Sequence, residues 1–122
     1  MRSDDDTENF IRSSFGSIWS LELLLTLWRH RDRQWRRAEL IETLRASEQV
    51  LARSCSDLHT AGLIAEEDEI VRYAPASPEI DAQVTRIGAL YASRPAFVRR
   101  LIVGGPQDAI ERFADAFRFR QG

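Results

Sequence analysis

The chain predicts one α+β domain, mainly α with a small β-hairpin, and three observations carry that prediction. Apolar residues recur at helical spacing over Ile18 to Trp28, Leu51 to Leu58 and Ile80 to Tyr91. Between the last two stretches, Leu63-Ile64-Ala65 and Ile70-Val71-Arg72-Tyr73-Ala74 take an extended period and flank the acidic tetrad Glu66-Glu67-Asp68-Glu69. A length of 122 residues with 43% hydrophobic content suits one continuous core.

Residues 1–16 read as an acidic N-terminal tail or arm. Asp4, Asp5, Asp6 and Glu8 predict fraying, while Phe10, Ile11 and Phe15 predict a short turn that packs on the body. Ser17 is an N-cap candidate for the next helix, in which Ile18, Leu21, Leu25 and Trp28 follow the i, i+3, i+7, i+10 rule. Trp19, Leu23, Leu24 and Leu27 make its other faces apolar too, so this helix should be central and nearly surrounded by protein. Arg29-His30-Arg31-Asp32-Arg33 ends it in solvent.

Gln34-Trp35-Arg36 predicts a very short strand before a helix over 37–44 that turns Leu40, Ile41 and Leu44 inward. After the tight link Arg45-Ala46, Ser47 caps a helix beginning at Glu48, whose acid complements the helix dipole. That helix points Leu51, Cys55 and Leu58 inward and leaves Gln49, Ala52, Arg53, Ser56 and Asp57 outside. It stops at Gly62, the residue best suited to a left-handed terminus. The hairpin follows, without the usual Asn-Gly or Asp-Gly turn. Ser77-Pro78-Glu79 then starts a helix carrying Ile80, Val84, Ile87, Leu90 and Tyr91 as far as Pro95. A shorter helix is expected through Phe97, Val98, Leu101 and Ile102. Beyond Gly104-Gly105-Pro106, a last amphipathic helix holds Ile110, Phe113, Ala114 and Phe117. The organisation read from the chain is an arm (1–16), a central unit (17–76) and a C-terminal helical extension (77–122) of the same compact body.

A net charge of −2 excludes a polycation, so any nucleic-acid contact must come from local patches. All 17 basic residues are arginines, a usage expected of a GC-rich bacterial genome and compatible with bidentate contacts to phosphate and guanine. Cys55 stands alone, which excludes an internal disulfide, and with His30 and His59 it makes too poor a set for zinc; no metal or cofactor is expected. Cys55 reads as a buried small residue, Trp19, Trp28 and Trp35 as core and lid, and the two histidines as surface groups. Enzymatic activity is not expected, for there is no glycine-rich phosphate loop, nucleophile elbow or calcium loop. No apolar run approaches the roughly 20 residues of a membrane span, and the N-terminus lacks the pattern of a signal peptide, so a cytoplasmic location is expected.

The order helix, short strand, helix, tight turn, helix, hairpin, with about three residues between the second and third helices, is that of a winged helix-turn-helix, here with additional C-terminal helices. The phrase Asp57-Leu58-His59-Thr60-Ala61-Gly62-Leu63-Ile64 resembles the exit of the recognition helix in MarR-like winged-helix regulators. The resemblance covers roughly Ser17 to Pro75. It implies a DNA-binding transcriptional regulator that reads duplex DNA with helix 47–61. Gln49 and Arg53 would read bases, and Ser47, Ser56 and Thr60 would add base or phosphate contacts. Arg36 and Arg37 stand where family members touch the backbone, and Arg31 and Arg33 extend this most basic stretch, Arg29 to Arg37. The same arginines could equally pair with Glu39, Glu42 or acids elsewhere. Ile110, Phe113 and Phe117 form a stripe that would either build a homodimer or pack within the chain.

Two features depart from the family pattern. The hairpin tip, Glu66 to Glu69, is wholly acidic where phosphate would repel it. Glu48 and Asp57 also leave Arg53 as the sole cation of the reading helix. A second reading therefore stands beside the first: a winged-helix protein-interaction module whose acidic hairpin and N-terminal tail engage a basic partner without DNA.

Overall fold

Five leucines of one helix, Leu21, Leu23, Leu24, Leu25 and Leu27, are fully buried, and the molecule is built around them. The computed structural model describes residues 2–103, with side chains from Asp5 onward. In chain order the elements are α1 (Arg2–Ser14), α2 (Ile18–Arg29), β1 (Trp35–Arg36), α3 (Arg37–Leu44), α4 (Glu48–Thr60), β2 (Ile64–Glu67), β3 (Ile70–Tyr73), α5 (Pro78–Ser93) and α6 (Pro95–Val103). The architecture is thus mainly helical with a small antiparallel sheet. Leucines on several faces of α2 let it pack on α4, α3, α6 and β3 at once. Ser17 caps it as the chain predicts, its hydroxyl accepting the Ser20 N–H at 3.4 Å. Trp19, expected in the core or as a lid, is 39% exposed on this helix.

The largest departure from expectation is the N-terminal arm, which is the helix α1. Thr7, Ile11, Ser14 and Phe15 recur at i, i+4, i+7 and i+8, are all buried, and fit against α5 and α6. Two of those four are polar, so the stripe is faint in the apolar pattern. Thr7 is accommodated by donating its hydroxyl to Gln83 Oε1 at 2.9 Å. Asp5 and Asp6 lie near the N-terminus of α1, where the helix dipole favours carboxylates.

The sheet has order β1-β3-β2, all antiparallel, with Trp35 opposite Val71 and Ile64 opposite Tyr73. Glu67 pairs with Ile70, which leaves Asp68 and Glu69 as a two-residue turn. Both have positive φ, 51° and 68°, as a type I′ turn requires. The preferred geometry therefore forms without its preferred residues, and Glu69 carries the backbone cost that glycine would avoid.

Ser77 caps α5 through the Ile80 N–H, with Pro78 in its first turn. Val84 and Ile87 are fully buried, and Gly88 faces Trp28 so closely that a Cβ there would lie 2.8 Å from the ring. Val98, Leu101 and Ile102 of α6 complete the core. The expected last helix, with Ile110, Phe113 and Phe117, lies outside the described residues. No helix among the described residues is long and apolar enough to cross a membrane.

Candidate nucleic-acid interface

α4 has two sharply different sides. Leu51, Ser54, Cys55 and Leu58 are buried against the body, whereas Gln49, Ala52, Arg53, Ser56, His59 and Thr60 are exposed. The exposed positions advance by three and four residues, so they form one continuous stripe along the helix. Its two ends are fixed by backbone chemistry. At the start the Ser47 hydroxyl accepts the Val50 N–H at 3.1 Å. At the finish Gly62 takes a φ of 75°, and the Leu63 N–H returns to the Leu58 carbonyl at 2.9 Å. The link from α3 is short because Arg45 adopts the left-handed region, φ 54°, and the Ala46 N–H reaches the Ile41 carbonyl. Ser47, expected as a DNA contact, thus already uses its oxygen as a cap.

Asp57, expected on the outer side, instead turns into the body. Its Oδ2 accepts the Ser20 hydroxyl at 2.7 Å and the Gly16 N–H at 3.2 Å. A Cβ on Gly16 would come 2.7 Å from that oxygen, so the glycine is needed for the close approach. The position follows Leu58's side of the helix rather than Ser56's. A carboxylate that ties α2 and the α1–α2 link to α4 therefore does not face outward beside Arg53. Among the described residues, neither Gln49 nor Arg53 has an ion-pair or hydrogen-bond partner for its side chain.

The arginine run divides. Arg37, the first residue of α3, pairs through Nη1 with Glu66 of β2, and its N–H donates to the Glu69 carbonyl at 3.0 Å. The pair lines an open groove of about 370 Å³ together with Ala52, Ser56, His59 and Thr60 of α4. Burial works against the charge on Arg37, but the hydrogen bond and charge of Glu66 prevail and hold its pKa above the ordinary value. Cys55 lies beneath the same groove, its thiol pushed up to about 11 by burial first and then by Glu66, with Arg37 opposing. Arg33 stacks 3.7 Å over the Trp35 ring and pairs with Glu39 at 3.0 Å. Arg31 donates to the Trp28 carbonyl at 2.9 Å and lies over that ring. The Arg36 N–H and then the Arg33 guanidinium hold the Glu39 carboxyl below its usual value. Arg29 and Arg36 expose their side chains.

The structure therefore brings Arg37, Ser56 and Thr60 together and engages Arg31, Arg33 and Arg37 in the protein's own contacts, so the expected patch of free guanidiniums is reduced. His59, read from the chain as an ordinary surface group, joins the stripe; its spacing of i+10 from Gln49 was the available signal. In the hairpin, Glu67, Asp68 and Glu69 are exposed. No cluster of three or more metal-ligating side chains occurs among the described residues. Comparison with protein-family models, curated proteins and solved structures returned no match.

Proposed function

We propose that this domain is a cytoplasmic winged-helix regulator that binds duplex DNA with the outward stripe of α4 in the major groove. The observation that carries the reading is that stripe: six exposed positions, from Gln49 to Thr60, spaced along one face of a helix whose other face is locked into the core. A side chain presented this way, on a helix capped at both ends, has the rigidity that base readout needs. The element order α2-β1-α3-α4-β2-β3 and the short α3–α4 link support the same reading. Gln49 and Arg53 are the base readers, Ser56, His59 and Thr60 border them, and Arg36 supplies a backbone contact. Two copies, joined through Ile110, Phe113 and Phe117, would present paired α4 helices to adjacent grooves.

A salt-titrated mobility shift on duplexes from DNA upstream of the gene tests this. Binding should fall linearly in log affinity against log salt, and Arg53→Ala should cost about 1–3 kcal/mol on the preferred duplex. A folded protein whose binding is undetectable or indifferent to salt rejects the reading. The second reading, a protein-interaction module, is favoured by the exposed Glu67, Asp68 and Glu69 at the hairpin tip. It predicts that Glu67→Arg with Asp68→Arg abolishes association with a basic partner, and an unchanged pull-down profile counts against it.

A further inference from the structure

We propose that Glu66 attenuates the affinity of the α4 surface for DNA: by holding the Arg37 guanidinium, it withholds one cation from the DNA backbone and weakens the sequence-independent part of binding. The inference rests on the reading of α4 as a DNA-binding helix. Arg37 and Glu66 come from different elements, α3 and β2, and meet in the groove that Ala52, Ser56, His59 and Thr60 of α4 also line. A phosphate lying along that side of α4 would meet a neutral pair where the chain alone suggests a free arginine.

The contact is built rather than incidental. The Arg37 N–H is tied to the Glu69 carbonyl, so the hairpin is fixed to the start of α3 by backbone as well as side chain. The two side chains are only 17% and 30% exposed, which places the pair partly out of reach of screening by salt. Sequence-independent DNA binding arises almost wholly from counterions released by cations that reach phosphates. Gln49 and Arg53, which have no side-chain partner among the described residues, are untouched by the pair and keep their capacity to read bases. Sequestering Arg37 therefore lowers binding to every sequence by about the same factor and leaves discrimination between sequences to Gln49 and Arg53.

The test compares wild type, Glu66→Gln, Arg37→Ala and the double variant on a mixed-sequence duplex of about two helical turns, titrated between about 50 and 200 mM salt. Circular dichroism checks each fold, and Glu66→Ala serves as a second neutral replacement. Glu66→Gln should tighten binding about three- to tenfold at the low-salt end and steepen the salt slope by about one unit. Arg37→Ala should leave the wild-type slope unchanged, and should remove the added slope when combined with Glu66→Gln. On upstream duplexes that bind preferentially, Glu66→Gln should tighten binding by about the same factor as on the mixed sequence, leaving the preference to Gln49 and Arg53. An unchanged slope in Glu66→Gln, or a slope that falls by about one in Arg37→Ala, overturns the proposal while leaving α4 as the DNA-binding helix. Salt-dependent binding missing from wild type and every folded variant rejects that reading of α4, and the role of Glu66 with it.

Discussion

Replacing Asp57 by alanine discriminates between a carboxylate that decorates the outside of α4 and one that fastens the helix to the body. In the structure its Oδ2 accepts two hydrogen bonds, from the Ser20 hydroxyl at 2.7 Å and from the Gly16 N–H at 3.2 Å. Ser20 is fully buried, so the variant leaves a hydroxyl cut off from water with one partner fewer. A hydrogen bond to a charged acceptor contributes about 1.5–3 kcal/mol, and the longer, exposed contact to Gly16 adds less than about 1 kcal/mol. The expected loss is about 2–3 kcal/mol, which for a domain of this size lowers the melting temperature by about 8–12 °C. Thermal unfolding followed by circular dichroism measures it. A double-mutant cycle with Ser20→Ala should return a coupling of about 1–2 kcal/mol. If α4 binds DNA as proposed, affinity below the melt should not change, because the Asp57 carboxylate is turned into the body. A melting temperature within about a degree of wild type, accompanied by tighter DNA binding, would refute this placement of Asp57.

Gly88→Ala should destabilise the protein by about 1 kcal/mol: the helix gains propensity, but a Cβ 2.8 Å from the Trp28 ring forces a packed side chain to move, and a raised melting temperature would contradict that contact. Glu69→Gly should stabilise it by about 0.5–1 kcal/mol in urea titration, since glycine adopts the positive φ of the turn without strain; a loss of stability would mean the turn is not of this type. Alkaline stability offers a further check, because the chain has no lysine and its only cysteine and two tyrosines are Cys55, Tyr73 and Tyr91. Burial holds the Cys55 thiol up to about 11 and raises both phenols, whose protons also serve Asp81 and Glu22. The fold thus keeps protons that the unfolded chain releases, so stability should be level through neutral pH and fall as pH rises from about 9 through 11. A flat urea midpoint across that interval would count against these burials, and Cys55→Ala should make the decline shallower.

The elements legible in the chain were those whose local signals agreed. Ser17, Ser47 and Ser77 each precede an apolar stripe and each caps its helix. Arg37–Leu44 and the strand at Trp35–Arg36 fall where the pattern places them. The helix over residues 2–14 was illegible because two of its three described buried positions are Thr7 and Ser14, and polar residues leave no mark in a hydrophobic period. At the candidate site, the outward side of α4 could be read from spacing alone. Asp57 could not, since its partners Ser20 and Gly16 are about forty positions distant in the chain and only tertiary packing brings them near. That arginines of this run pair with Glu39 or with acids elsewhere was open in the chain, and Arg33 with Glu39 and Arg37 with Glu66 do so, but only tertiary packing picks out Glu66.

Those two misplaced carboxylates alter the electrostatic argument about DNA. Taken from the chain, Glu48, Asp57 and four hairpin acids all oppose a duplex lying on α4. In the fold, Asp57 is turned inward and Glu66 is neutralised, so the charges near the C-terminal half of the stripe are no longer predominantly negative. Glu67, Asp68 and Glu69 still project from the hairpin tip, and a duplex placed on α4 must pass clear of them. Such a duplex would be held by one helix without help from the hairpin, a contact at the small end for a single module, about 600–1,000 Å². In the proposed arrangement a second copy of the chain would add the affinity that one helix lacks, and Gln49 and Arg53 would supply the sequence preference. The ratio of specific to non-specific binding, rather than the binding constant alone, is then the quantity on which the reading of this surface turns.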